Sequence, residues 1–284
     1  MTFPSPGPWV DYERPRSAPW TSNEGIIKLI EFPVRAENMS RRAFHLYWMR
    51  HHSPHVMNVT PFAQFMRKYC TAHIYPEPLS GLPRHYVQTT PFEGAGEVWI
   101  NRLEEVGAWL SHPLYGELIQ PDEAHFIRQD GSTEVILSTE ERIYEPDPDM
   151  REHGMTKVYL IVNGRRELGH DALHEALSGY GKALTESAAQ RERLRKLVIS
   201  HRVREPWPEG FPLAAIDAVM ELWFARREDV GAFFEERSYR AAAAEHEASC
   251  MHIDTIRAVV CKLCVVHDEF SFQPTMMQPQ PWDY

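Results

Sequence analysis

The segment Trp48-Met49-Arg50-His51-His52-Ser53-Pro54-His55 concentrates three imidazoles within five residues. Histidine is the side chain whose ordinary pKa lies closest to neutrality, so such a cluster suits general acid/base chemistry. His45, Trp48 and His52 stand at i, i+3 and i+7 and would share one face of a helix. Pro54 disfavours a helical Ser53, which places His51 and His52 in a last helical turn. Backbone carbonyls there favour a cationic ring and raise its pKa. His52 is the candidate base, with His51 beside it. The bland alternative is a set of histidines that only complement the helix dipole. His51 and His55 have the i, i+4 spacing of a metal pair, but no Glu follows His51 and Pro54 interrupts the turn. No metal is assigned.

Further candidates lie on strand-like stretches. Tyr69, Thr71, His73 and Tyr75 alternate and would line one polar, aromatic face. His73 and Tyr69 could protonate a leaving oxygen or hold an oxyanion, but a structural His73 is an equal reading. Glu97 beside Trp99 is either an acid with a raised pKa or a carboxylate paired with an arginine. His55, and His85 in a Pro/Gly-rich loop, complete the binding candidates with Trp48, Tyr75, Trp99 and Glu97. Asp122-Glu123 reads as a solvated turn.

The elements that must position these residues occur twice. Glu97-x-Trp99-x2-Arg102-x-Glu104-x-Val106-Gly107-Ala108 recurs as Glu221-x-Trp223-x2-Arg226-x-Glu228-x-Val230-Gly231-Ala232. Upstream, Lys68-x4-His73-x3-Glu77-Pro78 recurs as Lys196-x4-His201-x3-Glu205-Pro206. A residue present in one copy only is not needed to build the fold. By that test His73 and Glu97, matched by His201 and Glu221, lose weight. The histidine cluster gains it, because Leu177-Ser-Gly179-Tyr180 stands in its place.

The patterns predict strand 26–34, a helix from Ser40, strands 66–75 and 96–100, helix 103–110 and a strand within 135–144. The second half predicts strand 156–163, helix 170–185, strands 196–203 and 215–224, helix 228–236 and strand 255–266. Residues 237–252 read as an Ala-rich, partly helical insertion. The order is β-α-β-β-α-β twice. The fold class expected is α+β: two tandem ferredoxin-like units, residues 25–150 and 151–272, closing into a pseudo-dimeric barrel. Residues 1–24 and 273–284 are Pro-rich or Gln- and Met-rich tails that contain Trp and Tyr, and they could lie across the body or drive a homodimer.

The chain has 284 residues, 43% hydrophobic content and a net charge of −10. Acidity argues against a nucleic-acid partner or an anionic membrane. No long apolar run suggests a membrane span or secretory signal. Four cysteines suggest reduced thiols in the cytoplasm. Cys261-x2-Cys264 sits in an apolar strand with no second ligand pair.

Lys28-Leu-Ile-Glu31-Phe32, Phe44-x3-Trp48-x3-His52-x-Pro54, Lys68-Tyr69-x3-His73, Gly96-Glu97-Val98-Trp99 and residues 111–126 together resemble the EthD family over about residues 26–147. The resemblance implies a dimeric α+β barrel fold and chemistry that uses no metal or organic cofactor. It does not fix the reaction. The expectation is a cofactor-independent lyase of a small aromatic or apolar oxygenated substrate, by dehydration or retro-aldol-type cleavage with His52 as base. A cofactor-free oxygenase or isomerase is the first alternative, and a non-catalytic binding protein the second. The pocket is expected between the helices and sheet of the first unit.

Overall fold

The computed structural model describes residues 25–204, 207 and 215–270; both tails lie outside that range. The first half runs β1 (Ile27–Phe32), α1 (Arg41–Tyr47), a π-turn (Trp48–His52), α2 (Ser53–Asn58), α3 (Thr60–Ala63), β2 (Lys68–Ile74), β3 (Gly94–Ile100), α4 (Leu103–Leu110), a second π-turn (Tyr115–Ile119), α5 (Gln120–Phe126) and β4 (Glu134–Tyr144). The second runs β5 (Thr156–Val162), α6 (His170–Ala183), α7 (Ala188–Arg193), β6 (Leu194–Arg202), β7 (Ala218–Phe224), α8 (Arg227–Glu235), α9 (Arg237–Cys250) and β8 (Arg257–Asp268). The strands close into one antiparallel barrel in the order β1-β3-β2-β8-β5-β7-β6-β4. Each half contributes four consecutive strands, and the β2–β8 and β4–β6 ladders join the halves. Among the described residues no helix is long and apolar enough to cross a membrane.

Period-two alternation sends one set of side chains into the barrel and the other outward beneath the helices. The interior holds Ile30, Phe32, Cys70, Tyr159, Trp99, Trp223 and Cys261 among its apolar residues. It also holds four fully buried charges. The Lys28 ammonium lies 2.7 Å from Glu97 and 2.5 Å from Glu221. Lys157 lies 2.5 Å from each of the same carboxylates. Tyr159 donates to Glu97 at 3.0 Å and Ser200 to Glu221 at 2.5 Å. Burial alone would neutralise Lys28, but Glu221, Glu97 and Glu140 reverse that and hold its pKa well above the ordinary value.

This arrangement corrects two expectations. Glu97 is not an acid with a raised pKa: burial pushes it up, but Lys157 and Lys28 outweigh that and hold it well below the carboxylate range. Its cations are lysines, one from each half, not an arginine. Trp99 likewise belongs to the barrel, its ring 4.5 Å from the Lys28 ammonium. With Trp223, Lys68 and Lys196 it lines a cavity of about 400 Å³ at the barrel mouth.

A buried quartet of this kind is sensitive to loss of one member, because the remaining charge is left uncompensated in a dry interior. Lys157→Met should lower the unfolding free energy by about 3–5 kcal/mol in denaturant titration. A loss below about 1 kcal/mol would show that water reaches the quartet.

Candidate active site

The outer face of the first half carries Glu31 on β1, Gly96 on β3, and Tyr69, Thr71 and His73 on β2, cross-registered through Glu31↔Gly96 and Thr71↔Gly96. Gly96 lets the Trp48 ring pack close to this face. A Cβ there would lie 3.5 Å from the Trp48 ring and 3.8 Å from a Glu31 carboxylate oxygen. Gly94, at φ +149°, cannot be replaced, because its Cβ would fall 1.8 Å from the Ala72 carbonyl oxygen. It lets β3 start directly opposite His73.

The covering helix departs from the expected geometry. It does not end near Pro54. Ser53 is helical, at φ −61° and ψ −46°, and its N–H reaches back to the Trp48 carbonyl across a π-turn. The missing N–H of Pro54 is absorbed at the start of α2, where no i→i−4 bond is needed. His51 and His52 therefore sit inside a longer helical stretch, and the carbonyl-dipole argument for a raised pKa fails. The His52 pKa is lowered instead. Burial dominates and outweighs the hydrogen bond to Asp122.

His52 Nδ1 lies 2.6 Å from Asp122 Oδ2. Tyr47 donates to the other oxygen at 2.5 Å, and His51 Nε2 lies 3.3 Å from it. Burial would raise Asp122, but the bonds from His52 and Tyr47 prevail and hold it below the usual range. An ionised carboxylate only accepts, so His52 Nδ1 carries the proton and Nε2 is the basic nitrogen. The ring packs 4.8 Å from Phe126. Asp122 is thus a functional candidate where the sequence suggested a solvated turn.

Two further carboxyls were missed. Burial raises Glu31 to about 7. Burial, then the Glu31 charge, raises Glu123 to about 8. Tyr115 donates to Glu123 at 2.9 Å, and Tyr69, its hydroxyl 3.3 Å from Ser53 Oγ, feels both charges. A signal for Glu31 was available: the matching position of the second half is Leu160, so the charge is not required by the fold. Glu123 offered no such signal, since Glu247 repeats it.

The other candidates fall in different places. His73 is buried on the outer face, its Nδ1 2.9 Å from His45 Nδ1 and its Nε2 3.0 Å from Thr71 Oγ1. Burial holds its pKa well below 6.5, so it has no ready proton to give. The Trp48 ring, 5.0 Å from His73 and 6.4 Å from Phe126, links it to the His52 cluster. His55 is half-buried and bonds the Leu118 carbonyl. Tyr75 leaves the group entirely: it packs on the core of the second half and bonds Thr156 at 2.8 Å. His85 is also remote. It bonds Glu247 at 2.8 Å, in a network with Tyr86, Tyr180 and Tyr239, beside a cavity of about 780 Å³ between the 81–85 loop and α8–α9. The helix α9 is not an insertion, because Tyr239 and Glu247 hold in it the places of Tyr115 and Glu123 around α5.

Comparison with known proteins follows the same geometry. Residues 36–130 match the model of the EthD domain. No curated protein sequence matches the chain. An anthrone oxidase-like protein superposes with TM-score 0.53 at 8% identity, over 89% of this chain and 99% of its own. A candidate monooxygenase of Lactobacillus acidophilus NCFM gives 0.47 at 11% identity, over 85% and 94%. A chlorite dismutase of Candidatus Nitrospira defluvii, bound to imidazole, gives 0.46 at 10% identity, over 86% and 92%. These likenesses describe the fold. The neighbour with TM-score 0.53 is described as anthrone oxidase-like, not as a lyase, and His73, one of the two expected proton donors, is bonded at both nitrogens. The lyase expectation is corrected accordingly.

The titrating groups give a pH test. Glu31 and Glu123 bind protons in the fold that the unfolded chain releases near 4.5, so their contribution is lost as pH rises towards 8. The buried His45, His52 and His73, with lowered pKa values, act oppositely, but only below 6.5. Between pH 6.5 and 8 the acids therefore dominate, and stability should fall. Glu31→Gln should flatten that fall, as read by melting temperature across the window. An equally steep fall in the variant would show that Glu31 is ionised throughout.

Proposed function

The chain carries an EthD domain over residues 36–130, and from that premise we propose that it is a small-molecule oxygenase whose base is the His52–Asp122 dyad. The observation that carries the reading is the 2.6 Å bond that fixes His52 as a neutral base against the aromatic ring of Phe126. Burial keeps the imidazole unprotonated at neutral pH, so it is ready to accept a proton. Asp122 orients the ring and stabilises the imidazolium that forms, as an orienting carboxylate does in a His–Asp pair.

The substrate class we assign is an aromatic ketone with an acidic CH₂ conjugated to its carbonyl, or the phenol tautomer of such a ketone. Phe126, Trp48, Tyr69 and Tyr115 supply apolar and aromatic surface, and Glu31 and Glu123, protonated near neutrality, can donate hydrogen bonds to substrate oxygens. His52 removes one proton. The resulting anion reduces dioxygen, a C–O bond forms to the oxidised carbon, and the peroxide loses water. A CH₂ group and O₂ thus give a ketone and water. The description of one fold neighbour as anthrone oxidase-like supports this choice over the isomerase alternative, which takes up no oxygen. We further read residues 25–150 and 151–272 as duplicated ferredoxin-like units, on the strength of their matching strand order.

With anthrone as the probe, the protein should consume oxygen stoichiometrically with product in an oxygen electrode. His52→Ala should lower the rate by about 10²–10⁴-fold, the usual contribution of a positioned base. Asp122→Asn should lower kcat with little change in KM. Product without oxygen uptake, or full turnover in His52→Ala, would sink the proposal.

A further inference from the structure

The second half contains a cluster that the proposed oxygenation does not use. His174 on α6 and His201 on β6 occupy the places that His45 and His73 hold in the first half. The two pairs are aimed differently. In the first half the imidazoles bond each other, Nδ1 to Nδ1. In the second half the rings pack against each other at a tilt of 33°, with centroids 3.6 Å apart, and both Nε2 atoms turn to one carboxylate. His201 Nε2 lies 3.1 Å and His174 Nε2 3.3 Å from Glu141 Oε2.

The third residue explains the difference. Strand β4 pairs with β6 through Thr139↔His201 and Glu141↔Ile199, so Glu141 sits two residues beyond the partner of the histidine, on the same face. Strand β8 pairs with β2 through His73↔Lys262 and Thr71↔Cys264, so Cys264 holds the equivalent place in the first half. In the first half Glu93 approaches His45 alone, 3.6 Å from its Nε2, whereas Glu141 meets both rings of its pair.

From this convergence we infer that Glu141, His174 and His201 bind one divalent transition-metal ion of the Zn²⁺ class. The donor set suits it: two imidazoles and a carboxylate, the first-row N/O combination that leaves a fourth position for water. The distances suit it as well. Metal–ligand bonds of about 2.0–2.2 Å place tetrahedral ligands about 3.3–3.6 Å apart. The two His–Glu separations lie at or just below that range, and all three ligand atoms fall within 4.8 Å of one another. The His174 side chain is 43% exposed, so its ring can adjust and the ion has a path in. His201 is buried and Glu141 is oriented from behind, because Ser178 donates to its other oxygen at 2.7 Å. An outer hydrogen bond of this kind is what holds a ligating carboxylate in place.

The test uses the full chain, stripped with chelator and titrated with Co²⁺ and then Zn²⁺. Wild type should bind one equivalent of Co²⁺ with the visible absorption of a four-coordinate site, and Zn²⁺ should displace it. His174→Ala, at a half-exposed position that the fold does not need, should abolish the signal. Glu141→Gln should weaken binding at least as much as Ser178→Ala, which should cost roughly tenfold. Circular dichroism confirms that each variant is folded. Absence of stoichiometric Co²⁺ uptake by wild type would overturn the inference. So would uptake that persists undiminished in His174→Ala, since the ion would then lie elsewhere. Neither readout involves turnover, so failure here leaves the oxygenase reading untouched, and the converse holds.

Discussion

The structure depends on four charges that face one another across the inside of the barrel. Lys28, Glu97, Lys157 and Glu221 come from β1, β3, β5 and β7, two strands from each half. Ions of this kind tolerate a dry interior only when each finds its partners. The requirement fixes the register of all four strands, and register decides every side-chain direction. With Lys28 inward, Glu31 must point outward. With Glu97 inward, Gly96 faces the helices and lets the Trp48 ring approach the sheet. A slip of one residue would turn Glu31 into the barrel. The quartet does no chemistry in our reading, yet it selects which residues can.

Helix geometry adds a second selection. An uninterrupted α-helix through Pro54 would lose a backbone bond and crowd the preceding turn. The π-turn at Trp48–His52 resolves this by widening one turn. It carries His52 towards α5, where Asp122 and Phe126 wait, while His45 remains over β2 against His73. Residues read as one face thereby serve two clusters. The environment then sets the sign of the pKa shift: a helix end would have raised it, whereas burial beside a single carboxylate lowers it.

The eight strands and the helices α1, α4, α6 and α8 were legible, because hydrophobic alternation and the doubled segment report backbone period and order directly, whereas the short helices α2, α3, α5 and α7 were not. Helix Leu103–Leu110 appears with its expected bounds, and the strands shift by one to three residues. His52 was legible for a different reason: the second half lacks it. Glu31 was open to the same comparison, against Leu160. Asp122 was open to it as well, against His246, but its role was not legible, since a partner seventy residues away in sequence becomes a neighbour only when α5 folds back onto the π-turn. The state of Glu97 was illegible in principle from one half, because one of its two lysines belongs to the other. Tyr75 failed for a local reason. It lies just past the end of β2, where alternation no longer governs direction.

The two halves show how little must change for one scaffold to hold different chemistry. Tyr115 with Glu123 and Tyr239 with Glu247 keep the same spacing and the same hydrogen bond. Around the first pair stand Glu31 and Tyr69, and the acid is pushed towards protonation by burial and then by the Glu31 charge. Around the second stand Tyr86, Tyr180 and His85, all bonding to the glutamate. The histidine pairs behave likewise: Cys264 or Glu141 on the adjoining strand decides whether two imidazoles bond each other or converge on a third group. In each case the retained residues fix position, and the neighbour supplied by the other strand or loop determines what they meet. Because β4 and β8 are the strands that pair across the halves, Glu141 and Cys264, which differentiate the two histidine pairs, sit on the same ladders that close the barrel. Divergence there costs the interior nothing, since alternation keeps those side chains on the outer face.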